Sequence, residues 1–335
     1  MRLTAARFKA VYAGAAGMIV GLAHLGRDVS ADRLVESYFE EPDGGERTPS
    51  YLVGAVGVLL AAWLSRPSAT VADALFAQVE INTTNPANEL FLGAPGTMLA
   101  ALLMHEQTGE VRWAELYRRN ADHLWNEWRY DWEYDCHLWI QNRKGRLIRS
   151  IGAGHGFASN AHSLLRGETL LEPSRRMELH RRAAETATRF ALVEDGRANW
   201  PTIADPFWAA QEGQEIRVQW CHGAPGVITS LATVEGMDDL LAAAGELAWE
   251  AGPLVKGHGL CHGTAGNGHA FLALHERTGD GLWLDRARAF AVHGIAQYER
   301  EDRPRYSLWT GDIGLAVYLS QCLEARAGLV TLDWV

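Results

Sequence analysis

The chain has 335 residues, a length that suits one large domain or two smaller ones. Hydrophobic residues make up 47% of the chain and charged residues 21%, a composition that is typical of a globular protein and not of a disordered one. The formal net charge of −10 argues against a nucleic-acid partner, because phosphate binding requires a basic surface.

Two apolar runs come first along the chain. The run over residues 10–23 follows Arg2, Arg7 and Lys9, as a signal peptide would, but it also contains the glycine repeat described next, which favours a helix of the folded domain. The run over residues 51–64 is 14 residues long and is shorter than the roughly 18–20 residues that a membrane span requires. Both runs are therefore predicted to be tightly packed core helices.

A Gly-x-x-Gly pair begins each apolar run, and the pair recurs along the whole chain. Glycines let a loop pass close to its neighbours, and Pro95 and Pro225 suit the first turn of a helix, so each pair predicts a helix start. In the fourth copy Gly156 is kept and Ser159 replaces the second glycine. The seven copies begin at Gly14, Gly54, Gly93, Gly156, Gly223, Gly263 and Gly311.

Each apolar helix is followed by a polar, amphipathic one. After Gly96, apolar residues recur at helical spacing as far as Gly109, and the charged segment 110–128 comes next. Residues 93–123 match residues 263–293 at an offset of 170, including His105-Glu106 and Trp113. The alternation predicts an all-α protein, a single α/α toroid over residues 1–335 with about seven inner and seven outer helices. All helix starts of the inner layer would lie at one rim.

Two of the four cysteines share one frame within this repeat, Cys-His-Gly at Cys221 and again at Cys261. Four cysteines are too few for a disulfide scaffold, which favours a reducing, cytoplasmic location. Cys136 and Cys322 lack the frame and are predicted to be core residues. Two thiolates and the imidazole of His262 would make three ligands for Zn²⁺ and leave a fourth position open. His222 could be a fourth ligand or a free acid or base.

The motifs "WCHGAPG" and "KGHGLCHGTAGNGHAFL" closely resemble the paired signature of the lanthionine synthetase C-like family. The segments "ELFLGAPG", "GAGHGFAS" and "SLWTGDIG" resemble its other repeat starts, and the resemblance runs from about Tyr12 to about Leu319. It implies an α/α toroid with zinc held by Cys221, Cys261 and His262. It also implies an enzyme that forms thioethers by adding sulfur to dehydroalanine or dehydrobutyrine.

The resemblance further implies roles for individual residues. His155 matches the acid that protonates the enolate formed by thiol addition, and Arg217 matches a residue that would stabilise this enolate. Glu89 stands where the peptide cyclases carry Asp, and His222 where they often carry Tyr. Both changes match the stand-alone eukaryotic branch, which adds glutathione to dehydrated residues, and Lys256 matches a lysine that contacts glutathione there. Lys256 and Arg217 are therefore the expected glutathione contacts.

Three alternatives remain open at this point. The first is a cyclase acting on a ribosomally made precursor peptide, and the second is a zinc- and glutathione-binding scaffold without catalysis. Whether the enzyme adds glutathione or cyclises a precursor peptide, a separate dehydratase or kinase is expected to generate the dehydrated substrate. The third is a carbohydrate-active toroid, which would require paired rim carboxylates. Its candidates are Glu89, Asp131, Glu133 and Asp135, and it leaves the Cys-His pairs unexplained.

Overall fold

The computed structural model describes residues 8–143, 145–204 and 216–334, and within them seven helices form an inner ring. Each of these helices begins directly after the first glycine of a repeat. Each inner helix packs on the next inner helix along the chain, and the last inner helix packs on the first. The predicted toroid with seven inner helices is thus confirmed. The inner helices are α1 (Ala15–His24), α3 (Ala55–Ser65), α5 (Ala94–Thr108), α7 (Phe157–Arg166), α9 (Ala224–Leu231), α11 (Thr264–Thr278) and α13 (Asp312–Glu324).

The outer layer covers this ring with amphipathic helices. On the segment 111–127, for example, Trp113, Leu116 and Leu124 face inward and the charged residues face solvent. Six outer helices occur within the described residues, one fewer than the sequence analysis expected. They are α2 (Leu34–Glu40), α4 (Ala69–Asn82), α6 (Val111–Glu127), α8 (Pro173–Phe190), α10 (Asp238–Ala251) and α12 (Gly281–Glu299).

The C-terminal segment 326–334 turns inward after α13. Leu329, Val330 and Leu332 are buried, so the middle of this segment packs inward and does not form a seventh outer helix. The Thr331 carbonyl accepts a hydrogen bond of 2.5 Å from the Tyr51 hydroxyl, and the Asp333 carbonyl accepts one of 2.7 Å from Arg166. Arg166 ends α7, so the segment lies at the end of the ring opposite the glycine rim.

Three short antiparallel hairpins lie in the connections from outer to inner helices. Two of them precede α7 and one follows α8. Their strands are β1 (Arg129–Asp131) with β2 (Cys136–Leu138), β3 (Gln141–Arg143) with β4 (Arg146–Ile148), and β5 (Leu192–Glu194) with β6 (Arg197–Asn199).

The two apolar runs at the start of the chain form α1 and α3. Arg2 and Arg7, which gave the first run the outline of a signal peptide, lie outside the described residues. The residues of α3 from Ala55 to Ala62 are all buried inside the ring. No helix in the described part of the chain has both the length and the hydropathy to cross a membrane.

The second glycine of each pair permits a close turn at the rim. A Cβ at Gly96 would lie 2.1 Å from the carbonyl oxygen of Leu90, and a Cβ at Gly266 would lie 1.7 Å from that of Leu260. Both distances are far below any real contact, so the turn requires glycine. The same approach recurs at Gly17, Gly57, Gly226 and Gly314.

Backbone hydrogen bonds join these rim loops to one another. Every bonded residue stands two positions before the first glycine of its repeat, and each N–H donates to the carbonyl of the next repeat around the ring. We call this set the rim hydrogen-bond chain. Its five bonds are Gly154 N to Cys221 O (3.0 Å), Cys221 N to Cys261 O (3.1 Å), Cys261 N to Trp309 O (2.9 Å), Trp309 N to Tyr12 O (3.3 Å) and Tyr12 N to Leu52 O (2.8 Å).

Candidate metal centre

The rim hydrogen-bond chain brings the two Cys-His frames side by side. Cys221 and Cys261 occupy the position two residues before the glycine, and the backbone bond between them places their side chains on the same cleft. The next position holds His155, His222 and His262 in three successive repeats. A single repeated loop conformation therefore delivers two thiols and three imidazoles to one rim.

Three of these side chains form a cluster with the spacing of metal ligands. The Sγ atoms of Cys221 and Cys261 and a ring nitrogen of His262 all lie within 4.8 Å of one another. Both cysteines are buried and neither is in a disulfide. Two soft sulfurs and one imidazole are a donor set that suits Zn²⁺ and leaves one position for a further ligand. The residues present thus fit the metal that the sequence predicted.

The pKa values of the two thiols are shifted in opposite directions. The pKa of Cys221 is lowered, chiefly by the neighbouring Cys261 thiol and further by His262. The pKa of Cys261 is raised, because its thiol stays protonated beside the Cys221 thiolate and is also buried. Gln219 donates a hydrogen bond of 3.0 Å from Nε2 to the Cys221 sulfur. The surroundings therefore favour ionisation of the Cys221 thiol over that of Cys261.

Two glycines of the neighbouring loop make room for Cys221. A Cβ at Gly152 would lie 2.6 Å from the Cys221 carbonyl oxygen, and a Cβ at Gly154 would lie 2.9 Å from the Cys221 Cβ. The segment "GAGHG" thus runs against the metal cluster, and His155 follows directly. This close approach explains why the histidine of the fourth repeat reaches the same cleft.

His155 is held by a buried carboxylate. Its Nδ1 lies 2.6 Å from Oε2 of Glu89, whose side chain is fully buried. The backbone N–H groups of Phe91 and Leu92 donate to the same carboxylate at 3.1 and 2.7 Å. The Phe91 ring lies against the imidazole with centroids 4.6 Å apart. Glu89 is therefore fixed in place and fixes His155, which leaves Nε2 to face the cleft.

His222 lies between His155 and the metal cluster without joining the cluster. Its ring centroid is 6.3 Å from that of His155, and no atom of it belongs to the group of ligand atoms within 4.8 Å. Burial lowers the pKa of His222, the neighbouring Cys221 opposes this shift, and His155, Arg217 and Arg143 lower the pKa further. Of the two roles that the sequence left open for His222, the distances favour a free side chain beside the metal ligands over a fourth ligand.

The predicted cations reach this cleft from two loops. The cleft has a volume of about 460 Å³, and Arg217 and Lys256 both line it. Lys256 donates a hydrogen bond of 2.8 Å to Oε1 of Gln219, whose amide nitrogen in turn bonds to Cys221. Arg217 is exposed and stands four residues before Cys221. A positive rim beside the thiols can attract an anionic thiol compound.

The structure adds three residues that the sequence analysis did not single out. The Tyr12 hydroxyl lies beside the Cys261 thiol, and burial together with that thiol raises the pKa of Tyr12. Gln219 connects Lys256 to Cys221, and the charge of Arg143 in β3 acts on His222. Tyr12 was within reach of the sequence, because it holds the same repeat position as Cys221 and Cys261.

The other candidates lie away from the cleft. Cys136 in β2 and Cys322 in α13 are buried, and burial raises the pKa of each to about 11, as for inert core thiols. Asp131 pairs with Arg149 at 2.7 Å, and Asp135 pairs with the Tyr130 hydroxyl. Within the described residues the cleft lining contains no carboxylate, so the paired carboxylates of a carbohydrate-active site are missing there.

The loop before Cys261 is anchored separately. The buried His258 places Nε2 at 2.9 Å from Asp312 and Nδ1 at 3.3 Å from Glu301. Arg305 also pairs with Glu301, at 2.8 Å, and its backbone N–H donates to Asp312. Because a cation already stands at these carboxylates, we interpret the group as an ion-pair network that fixes the loop carrying Lys256 and Cys261.

Comparison with known proteins gives one family over nearly the whole chain. Residues 9–327 match the family model described as "Lanthionine synthetase C-like protein". The chain is similar to "Glutathione S-transferase LANCL1" of Danio rerio, with 33% identity over 189 residues, which cover 53% of this chain and 44% of the relative. It is also similar to "LanC-like protein GCL1" of Arabidopsis thaliana, with 37% identity over 111 residues, or 29% and 25% of the two chains. Each match thus spans less than half of the relative's length.

A solved structure supports the architecture. The fold resembles that of "Nisin cyclase" with a TM-score of 0.72 at 17% identity, over 97% of this chain and 91% of that one. At this low identity the likeness concerns the fold alone. It agrees with the ring of seven inner helices described above.

Proposed function

The chain belongs to the lanthionine synthetase C-like family, and from this premise we propose that it is a zinc-dependent enzyme that forms thioethers. The reaction is the Michael addition of a thiol, here glutathione, to dehydroalanine or dehydrobutyrine in a peptide or protein. The observation that carries the proposal is the cluster of Cys221, Cys261 and His262 in a cleft rimmed by cations. Cytoplasmic location fits the free thiols that such a site needs.

Cys221, Cys261 and His262 would hold Zn²⁺, which lowers the pKa of a bound thiol and so provides a thiolate near neutral pH. The donor thiolate attacks the β-carbon of the dehydro residue and forms the carbon–sulfur bond. The electron pair of the double bond moves to the α-carbon and its carbonyl, giving an enolate. Arg217 lines the same cleft as the cysteines and would stabilise the enolate oxygen.

His155 completes the addition by delivering a proton to the α-carbon. When both ring nitrogens carry protons, Nδ1–H donates to Glu89 and Nε2–H is available to the enolate. The proton lost from the donor thiol passes to solvent, from which His155 is recharged. Glu89 is fully buried and acts through His155, and His222 supplies a polar side chain to the cleft beside them.

Glutathione is the proposed donor because its carboxylates match the cations of the cleft. Lys256 and Arg217 flank the metal cluster and would bind one carboxylate each. The name of the Danio rerio relative, a glutathione S-transferase, supports the same donor. The acceptor must already be dehydrated, so a separate dehydratase or a kinase with a subsequent elimination would have to supply it.

The test is a joint measurement of zinc content and glutathione binding by metal analysis and calorimetry. We expect one zinc per chain, its loss in Cys221→Ala and Cys261→Ala, and full retention in the control Cys136→Ala. Lys256→Ala should keep zinc but weaken glutathione binding several-fold, because one charge-assisted contact is removed. Lys9→Ala is the matched control, since Lys9 bonds to Glu41 and does not line the cleft.

Three results would contradict parts of this proposal. Zinc retained in both cysteine variants would exclude the metal site. A wild-type chain that binds zinc but no glutathione at millimolar concentration would favour the cyclase of a precursor peptide instead. If the chain binds both zinc and glutathione but does not add glutathione to a dehydroalanine peptide, the result would favour a non-catalytic scaffold.

A further inference from the structure

A second cavity lies at the end of the ring opposite the metal centre. It has a volume of about 510 Å³, within the usual range of small-molecule pockets, and lies between the last turns of α7, α9 and α11 and the C-terminal segment 327–333. The Cys261–His262 pair precedes the start of α11, whereas Ala273 on its third turn lines the cavity. At 1.5 Å per residue, His262 and Ala273 are roughly 16 Å apart along α11.

One polar side chain of the lining has no partner of its own. His269 is 1% exposed, and neither ring nitrogen has a hydrogen-bond partner in the described parts of the chain. The ring packs on Tyr318, with centroids 5.0 Å apart, and borders the cavity. Buried polar groups in native proteins are nearly always hydrogen-bonded, so an imidazole left unpaired beside a cavity of ligand size indicates a ligand.

The charged residues of the lining are already engaged within the protein. Arg277 donates to Asp238 and to two backbone carbonyls, and Glu276 accepts the backbone N–H of Ala327. Asp333 lies 3.1 Å from His162 and accepts the backbone N–H of Leu329. Each of these charged groups therefore already has a hydrogen-bond partner within the protein, which disfavours an ionic ligand.

What remains for a ligand is an apolar wall, one neutral imidazole and the hydroxyl groups of Ser230 and Thr233, since Thr229 already donates to the Gly226 carbonyl. Leu165, Ala273 and Leu329 supply apolar surface. Burial lowers the pKa of His269 to about 3, so at neutral pH its ring offers one donor and one acceptor. A ligand that matches this lining is mostly apolar, carries no charge and bears one group that can form a hydrogen bond.

We infer that this cavity binds a small, uncharged, mainly apolar molecule with one hydroxyl group, such as an aromatic alcohol, whose hydroxyl pairs with His269. The site is separate from the metal centre and does not depend on the thioether chemistry proposed there.

The experiment titrates three probes, phenol, toluene and benzoate, into the full zinc-loaded chain with ligand-observed NMR. We expect saturable binding of phenol, about three- to tenfold tighter than that of toluene, which is the effect of one net hydrogen bond. In His269→Leu this preference should vanish. His275→Leu is the matched control, because it makes the same change on α11 outside the cavity lining.

A second variant fills the cavity without touching the imidazole. Ala273→Phe should abolish binding of phenol and toluene alike, while zinc content and near-ultraviolet dichroism stay as in the wild type. If His269→Leu fails to fold, the inference is tested by two other results. These are the preference of the wild type for phenol over toluene and the loss of binding in Ala273→Phe. The inference is overturned if phenol binds no tighter than toluene, if benzoate binds tighter than phenol, or if phenol binding survives in Ala273→Phe.

Discussion

The chemistry of the cleft depends on a few side chains whose partners are far away in the sequence. Glu89 and His155 are 66 residues apart, yet they meet at 2.6 Å because both belong to rim loops of neighbouring repeats. Glu89 also accepts two backbone N–H groups, so its position is determined without the histidine. The carboxylate orients the imidazole, and the imidazole is the group that faces the cleft.

The roles of these two residues can be separated kinetically. His155→Ala should slow thiol addition by about 10²–10⁴-fold while zinc content and glutathione binding are unchanged, because a positioned acid acts only after the thiol is activated. Glu89→Gln should cause a smaller loss, since the imidazole remains. Rates of addition to a dehydroalanine peptide would be compared with those of His105→Ala, a change on α5 away from the cleft. Loss of zinc in His155→Ala would instead make His155 a metal ligand.

The repeated rim loop is the element that builds the site. In every repeat except the fourth, which has Ser159, the second glycine lies against a carbonyl of its own repeat, and the rim hydrogen-bond chain links six of the seven loops. The residue two positions before the first glycine lines the cleft in four of the repeats, as Tyr12, Phe91, Cys221 and Cys261 do. The loop conformation, not the type of side chain, selects which residues meet.

This tight turn predicts that alanine substitutions at two glycines will differ in their effect on the free energy of unfolding. Gly96→Ala would force a Cβ to 2.1 Å from the Leu90 carbonyl oxygen, and we expect the free energy of unfolding to fall by about 1–3 kcal/mol. Gly281→Ala, at the start of α12, meets nothing within 4 Å and should be neutral or stabilising by up to about 1 kcal/mol. Urea unfolding followed by tryptophan fluorescence would measure both. Equal stability of the two variants would contradict the close turn.

At the scale of the whole molecule, the ring is closed by contacts between its two ends. Helix α13 packs on α1, and Trp309 donates a backbone hydrogen bond to Tyr12 across 297 positions of the chain. The C-terminal segment then crosses the far end of the ring, where Tyr51 and Arg166 hold it. The first and last parts of the chain therefore belong to one cooperative unit.

Removing one of these distant contacts should weaken the whole unit. Tyr51→Phe leaves the buried Thr331 carbonyl without its hydroxyl donor, and we expect a loss of about 1–3 kcal/mol in the free energy of unfolding with a single transition retained. Tyr306→Phe, at an exposed position, should have almost no effect. A separate early transition in the Tyr51→Phe variant would show that the C-terminal segment unfolds on its own.

The sequence by itself determined the number of inner helices and where they start. The glycine pairs are visible without any structure because a carbonyl within about 2 Å of the Cβ position tolerates no side chain, so the turn restricts the residue type directly. Alignment of the repeats placed Cys221 and Cys261 at equivalent positions of two neighbouring loops. A metal cluster could therefore be predicted from the sequence alone.

Only the tertiary structure decided which distant residues share the cleft and which elements complete the ring. Tyr12 reaches Cys261 because the ring closes, and no local pattern records a closure across the whole chain. The segment 326–334 has no helical period, and its burial depends on the space left by seven surrounding helices. The lone His269 likewise looked like any core residue of α11 until the cavity beside it was formed by α7, α9 and the chain end. Such features arise from packing between distant segments, and packing is a property of the whole fold.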